Sequence, residues 1–537
     1  MQPRAEFLFL AEELRSYILS FLPYKDILRC TSVCKALRQT YISSSNLQYI
    51  TELGGQQLIP VSNTNLDDHT SISKRLALQL LTDKAHAWFK FDIRSFETVS
   101  VPEQFHDAKT SLADGHLYLF DQTEQSAKIF PILPRPSQQT INRDWSPGSL
   151  CLIPNSECID LFMDPAQNLI AIAYMAVDNS IQSEDEKFHI DLGALDVDGV
   201  HPEAAGRTLF LSGLPSCPED HYAIESWKLE GLGRHIAFRR SLLVHDEGNY
   251  ISGEEIWCLQ IWDWQHSTMP GWVLSDTTIH PEGGESIDFC FLGNDRLLIV
   301  SKNLKLYSIE DASQTPQLLA CFLMPVSLTG IQCLLPMDDI AHGSQLQMQA
   351  KKTMWTSDPK NRILCIVTHI PSNPSACTFV ISTRIFFDLQ AGVVDGLAEI
   401  PWECWGALHA RIFLHHWQCR VGVSGNRVLQ AFPATTATVD DEDNTDYRLH
   451  MMDFSPLAVE RRQGLGRVVT EPSTMEITDS GEKLTTSLPY VEVVSDRVFN
   501  ADQLMEIWVD KDRIYLPRLK IDDPYSEGID QLEVIEI

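Results

Sequence analysis

The chain has 537 residues, 44% hydrophobic and 21% charged, a globular profile that excludes a disordered or fibrous protein and leaves room for a small module plus one large domain. Its formal net charge is −31, and since the first fifty residues hold six basic and four acidic side chains, the remainder carries −33. That balance repels a phosphate backbone, and no basic patch offsets it, which argues against nucleic-acid binding; solubility of a large domain accounts for the acid, with attraction of basic partners as the other reading.

Thirteen cysteines run from Cys30 to Cys419 without a CxxC pair. Their odd number and scatter predict reduced thiols, neither a zinc ribbon nor a disulfide framework. The apolar run Phe7 to Leu10 is too short for a signal-peptide core, and no run reaches the length of a membrane span. The expected setting is the cytoplasm or nucleus, away from membranes.

Leu10, Leu14, Tyr17, Ile18, Phe21 and Leu22 recur at helical spacing opposite Glu12, Glu13, Arg15 and Ser20, which predicts an amphipathic helix over 11–22. Pro23 stops it. Asp26 can cap a second helix carrying Ile27, Cys30, Cys34, Leu37 and Tyr41, with a break near Ser32, and Ser43 to Asn46 end the helical signal. Cys30 and Cys34 sit one turn apart but lack a second ligand pair, so they read as buried helical thiols. Residues 1–50 thus form a helical module too small to bury its own apolar residues; either the rest of the chain or another protein must cover them.

Leu10-Ala11-Glu12-Glu13-Leu14, Ile18-Leu19-Ser20-Phe21-Leu22-Pro23, Asp26-Ile27-Leu28-Arg29-Cys30 and Ser32-Val33-Cys34-Lys35 resemble the F-box consensus in order and spacing. Ala11 replaces the usual proline, and Leu37 the frequent tryptophan. The resemblance implies docking of the SKP-type adaptor of a cullin-RING ubiquitin ligase. By position it nominates Leu10, Leu14, Ile18, Leu19, Leu22, Pro23, Leu28, Val33, Cys34 and Leu37, some of which must instead hold the module together.

Residues 51–80, with Gly54-Gly55, Pro60 and a polar run from Ser62 to Ser73, read as a connector ending in a short helix near Lys74 to Leu81. Short strands follow. Asp160 to Met163, a turn at 164–168 and Leu169 to Met175 form a hairpin; Ile287 to Leu292, Arg296 to Val300 and Leu304 to Ile309, joined by tight polar turns, form a meander. Similar patterns occur near 115–133, 227–264 and 361–388. A sandwich or barrel does not accommodate roughly 440 residues of such strands, so residues 81–520 are expected to form one β-propeller of seven blades, with six or eight as alternatives. Ile261-Trp262-Asp263 resembles the strand-terminal signature of WD repeats in a single copy. Arg513 to Lys520 is a strand that could close the ring beside an early blade, and residues 521–537 read as an acidic tail. The fold class is mainly β behind an all-α module, and the layout resembles fungal F-box proteins.

Motifs for chemistry fail on spacing. Gly422-Val423-Ser424-Gly425 is not a nucleophile elbow, and Gly231-Leu232-Gly233 and Gly464-Leu465-Gly466 lack the third glycine of a dinucleotide loop. His415 and His416 are adjacent in a strand and point to opposite faces, so one buried and one exposed histidine is expected. Asp196, Asp198 and Gly199 lack the other ligands of a calcium loop, and Asp440 to Asp443 read as a solvated loop. No cofactor or metal is expected. The leading expectation is a non-enzymatic receptor that brings a target protein to a ubiquitin ligase; a scaffold without a degradation target, or a propeller enzyme with an accessory helical module, are the alternatives.

Overall fold

The structure, a computed structural model, describes residues 7–537 apart from residues 61–73, 92–95, 103–108, 135–139, 152, 154–155, 178–185, 212, 214–222, 247–248, 281–286, 312–314, 336–353, 371–372, 390–398, 417–419, 435–445, 462–465, 477–482, 501–503, 505, 511 and 520–528. Five helices come first: α1 (Glu12–Leu19), α2 (Tyr24–Val33), α3 (Lys35–Ser43), α4 (Ser45–Gly55) and α5 (Lys74–Lys90). Two more, α6 (Trp402–His409) and α7 (Pro456–Arg461), lie within the β domain.

Seven antiparallel blades make up that domain. Blade 1 comprises Lys109–Ala113, His116–Asp121, Ser126–Pro131 and Arg143–Trp145; blade 2, Ser156–Asp164, Leu169–Val177, Glu186–Ala194 and Thr208–Phe210. Blade 3 holds Ala223–Leu232, His235–Asp246, Asn249–Asp263 and Trp272–His280; blade 4, Asp288–Phe291, Arg296–Val300, Asn303–Ser308 and Gln317–Leu323. Blade 5 runs through Thr329–Leu334, Ile363–Ile370, Asn373–Ser382 and Ala410–His416; blade 6, through Val421–Ser424, Arg427–Pro433, Asp446–Asp453 and Tyr490–Asn500. The seven-bladed, mainly β expectation holds, and the meander over 287–309 falls on its observed strands within a residue.

A blade is buried on both faces, because each packs between two neighbours. In blade 1, Leu117 and Leu119 join Tyr515, Leu532 and Val534 of blade 7, while Tyr118 and Phe120 meet Leu161 and Met163 of blade 2. The period of two thus sorts side chains between neighbours, not between core and water. Seven such apolar clusters result, one at each blade junction. Trp262, buried in the cluster between blades 2 and 3, precedes Asp263, which ends the third strand of blade 3 and pairs with His266 at 2.8 Å.

Polar bridges tie the inner strands. Asp160 of blade 2 accepts Lys109 Nζ of blade 1 at 2.5 Å and the Leu229 N–H of blade 3 at 2.8 Å. Asp288 of blade 4 repeats the arrangement with Lys228 Nζ at 2.8 Å and the Cys333 N–H of blade 5 at 2.7 Å. Burial works against the Lys228 ammonium, but Asp288 and Glu230 outweigh it and hold the group above the ordinary lysine range.

Blade 7 closes the ring. Trp508–Asp510, Arg513–Leu519 and Ile529–Glu536 come from the end of the sequence, and the outer strand, Glu97–Ser100, comes from the segment before blade 1. Arg513–Leu519 is therefore in the closing blade, as expected, but it is Ile529–Glu536 that pairs with the early strand. The acidic tail expected at 521–537 is corrected accordingly over its described part. Leu532, Val534 and Ile535 are buried, and the buried Glu533 is paired with Arg497 at 3.0 Å and with Arg518.

The connector also differs from expectation. Ser44 does not end the helical region; it caps α4, its Oγ accepting the Leu47 N–H at 3.3 Å. The serine run stops one helix and starts the next, so the expected boundary at residue 50 falls inside α4, and that at 80 falls inside α5. The second predicted helix divides at Cys34, which is extended at φ −155°, ψ 163°, not at Ser32; Asp26 lies within the first turn of α2 and pairs with Arg29.

The helical module is seated on the propeller. Gly54 and Gly55 close α4, and a Cβ on them would come within 2.6 Å of the Tyr24 ring and 2.7 Å of Leu457 in α7, respectively. Leu58–Pro60 pairs with Trp355–Ser357, Gln57 accepts the Asp358 N–H at 2.9 Å, and Asn426 Nδ2 donates to Gln56 at 3.5 Å. All these propeller contacts lie in connections between first and second or third and fourth strands, which leave an antiparallel blade at one face. Further along, Trp88 and Phe89 of α5 enter the cluster between blades 6 and 7.

Two outcomes follow from this packing. Gly55→Ala forces α4 off Leu457 and should cost about 1–3 kcal/mol, read as a lower denaturation midpoint; an unchanged midpoint contradicts the close approach. His235, buried against Trp272 and Phe291, has a pKa pushed down to about 4 by burial and by Arg234, against the opposing pull of Asp263. The unfolded chain takes up this proton first, so the contribution is full above pH 6.5 and is lost as pH falls toward 4, about 2 kcal/mol by pH 5. Melting of His235→Phe should therefore vary less between pH 7 and 5 than that of the parent.

Candidate protein-docking surface

The first four helices share one small core: Leu19, Ile27, Leu37 and Leu47, flanked by Phe7, Leu22, Cys30, Cys34, Tyr41 and Ile50. Helix α1 turns Leu19 into this core, beside polar contacts from Ser16 Oγ, 2.8 Å from Ser44 Oγ, and from Glu12, which accepts from Ser43. Its apolar stripe faces out. Leu14, Tyr17 and Ile18 on α1, with Phe21 just beyond it, are 52%, 64%, 44% and 70% exposed, at positions i, i+3, i+4 and i+7. Tyr17 and Phe21 meet edge to face with centroids 4.9 Å apart. Phe9, at the end of the short turn Phe7–Phe9, and Val33, at the end of α2, are also exposed.

The ten nominated residues divide on this geometry. Leu19 and Leu37 are core; Leu22 and Cys34 are half-buried against it; Leu10 and Leu28 are half-buried; Leu14, Ile18, Pro23 and Val33 face solvent. The structure adds Leu8, Phe9, Tyr17 and Phe21 to the exposed apolar set. Tyr17 and Phe21 were signalled by the same periodicity as Leu14 and Ile18, since one stripe carries all four.

The module's far side is fixed. Tyr24 rests on Gly54, and its hydroxyl pKa is raised by burial and by Glu460 of α7, with Arg384 opposing. The exposed stripe is therefore held by a seated body, not displayed on a free arm.

The remaining sequence candidates take structural places. Gly233 turns between the first two strands of blade 3 at φ +56°, and Gly425 between those of blade 6 at φ +56°. Asp196 accepts from Asn168 at 2.6 Å, and Asp198 pairs with Arg143. The side chains of His415 and His416, together with Gly464, Leu465 and Asp440 to Asp443, lie outside the described residues. Among the described residues no group of three or more His, Cys, Asp or Glu side chains is placed to hold a metal ion.

A family profile described as the F-box domain matches residues 7–40. No curated protein matches the chain. Among solved structures, the chain is similar to the WD40 domain of SCAP from fission yeast, at 7% identity and TM-score 0.32 over 82% of this chain and 98% of that one. It is also similar to AztD of Citrobacter koseri, at 10% identity and TM-score 0.24 over 72% and 75%. An oligogalacturonate lyase in complex with manganese matches at 7% identity and TM-score 0.27 over 75% and 98%. The propeller assignment rests on the strand order, not on these likenesses. The chain thus carries an F-box domain at residues 7–40, with a seven-bladed β-propeller behind it.

Proposed function

We propose that this protein is the substrate-recognition subunit of an SCF-type cullin-RING ubiquitin ligase, acting inside the cell. The F-box docks an SKP-type adaptor, and the propeller binds the protein to be ubiquitylated. The observation that carries the reading is the outward apolar stripe of α1. With Leu19 alone anchoring α1 in the core, the apolar side chains on its other side form surface that a soluble monomer rarely exposes in one patch, and a partner surface is what removes it from water. Full burial of four such side chains is worth about 1.5–3 kcal/mol each before the costs of association.

The mechanism is proximity. Holding a target lysine beside the charged conjugating enzyme raises its effective concentration, and the receptor supplies no catalytic side chain. The seated module supports this role, because contacts through Gly55, Leu58–Pro60 and Trp88 hold the helical module and the propeller together.

Replacing Ile18 and Phe21 together by aspartate is expected to lower adaptor affinity at least about a hundredfold in a pull-down with purified adaptor, while melting is unchanged because both sites are exposed. Leu19→Asp, a core change, should lower the module's stability instead. Undiminished adaptor binding by the double variant would overturn the assignment.

A further inference from the structure

Outer blade edges are where a propeller can be extended, since their outward N–H and C=O groups lack a ladder partner. Here most are short or covered. The outer strands of blades 1, 2 and 7 have three, three and four residues, and that of blade 2 continues into blade 3 through the Phe210 N–H, which donates to Thr268 at 3.0 Å. Three of the longer outer strands are covered in part by the chain itself. Glu399–Ile400 pairs in parallel with blade 4, and Arg467–Val469 pairs with blade 6. On blade 5, Leu488 donates to Ala410 at the edge. Trp272–His280 of blade 3, nine residues long, is the longest outer strand that stands last in its sheet among the described residues.

Its sequence is lightly guarded, with Asp276 as its one acid. Lysine, proline and bulges are the usual protections, and 272–280 has neither a lysine nor a proline nor a register shift against its neighbour. Trp272 and Leu274 pack toward blade 4, and Asp276 reaches Lys305 of that blade at 2.9 Å. Alternation therefore turns Val273, Ser275 and Thr277 to the side of blade 2, where all three are exposed. Val273, Met269 and Phe210 are 47%, 55% and 46% exposed, and the Phe210 N–H donates to Thr268, the neighbour of Met269.

We infer that Trp272–His280 is a strand-addition site for an extended, basic segment of a partner protein, whose apolar side chain seats against Val273, Met269 and Phe210. The charge selects this occupant over a second copy of the chain: each copy carries −31, and antiparallel self-pairing centred on the strand sets Asp276 against Asp276. The site is independent of whether the F-box docks an adaptor.

The test uses the full chain and two synthetic nine-residue peptides of equal charge, one alternating lysine and valine, the other with its central valines replaced by proline. Hydrogen exchange should show slowed exchange across 272–280 with the first peptide and not with the second. Val273→Lys with Ser275→Lys, or Thr277→Lys alone as a milder change, should weaken binding about tenfold or more. Equal binding of both peptides, which marks charge attraction without pairing, overturns the inference. So does protection confined to other residues, or a concentration-dependent dimer protected at 272–280 without peptide.

Discussion

Pairing between Glu97–Ser100 and Ile529–Glu536 is the constraint on which the architecture turns, because it is the ladder that joins the two ends of the ring. Without it, blade 7 would lack its outer strand and the junction with blade 1, built from Leu117, Leu119, Tyr515, Leu532 and Val534, would have no covalent tether to its early side. Glu533 strengthens the closure at the same point. Its carboxylate lies between Arg497 of blade 6 and Arg518 of blade 7, so the strand that closes the ring is also tied to the preceding blade. A buried carboxylate is tolerable only because both cations are present.

The inner ring uses a related device. Asp160 and Asp288, 128 positions apart in sequence, each take a lysine from the blade before and a backbone N–H from the blade after. One side chain thereby fixes three blades. Apolar junctions set the distance between neighbours but resist sliding poorly; a directional carboxylate bridge fixes their stagger.

What the sequence disclosed follows the range of the interactions. The hairpins and meanders were legible because tight turns such as Gly293-Asn294-Asp295 are local, and the F-box was legible because its order and spacing lie within about 40 residues. The stripe of α1 was visible as well, but not its direction, since a helical period gives the same pattern whether the apolar side faces the module or a partner. Serine chemistry misled at Ser43 to Asn46, where a signal that ends helices also begins them. The closing strand was hidden for a different reason. Its partner lies some 430 residues away, and its acids, counted without Arg497 and Arg518, read as solvated.

The same separation sets an order of events during synthesis. At about 5–20 residues per second, Glu97–Ser100 emerges on the order of 20 to 90 seconds before the strand that pairs with it. The four helices of the F-box module need nothing beyond residue 55 for their own core. The outward stripe of α1 is thus available to a partner well before the ring can close, and the nascent blades must pass through that interval with one edge unpaired.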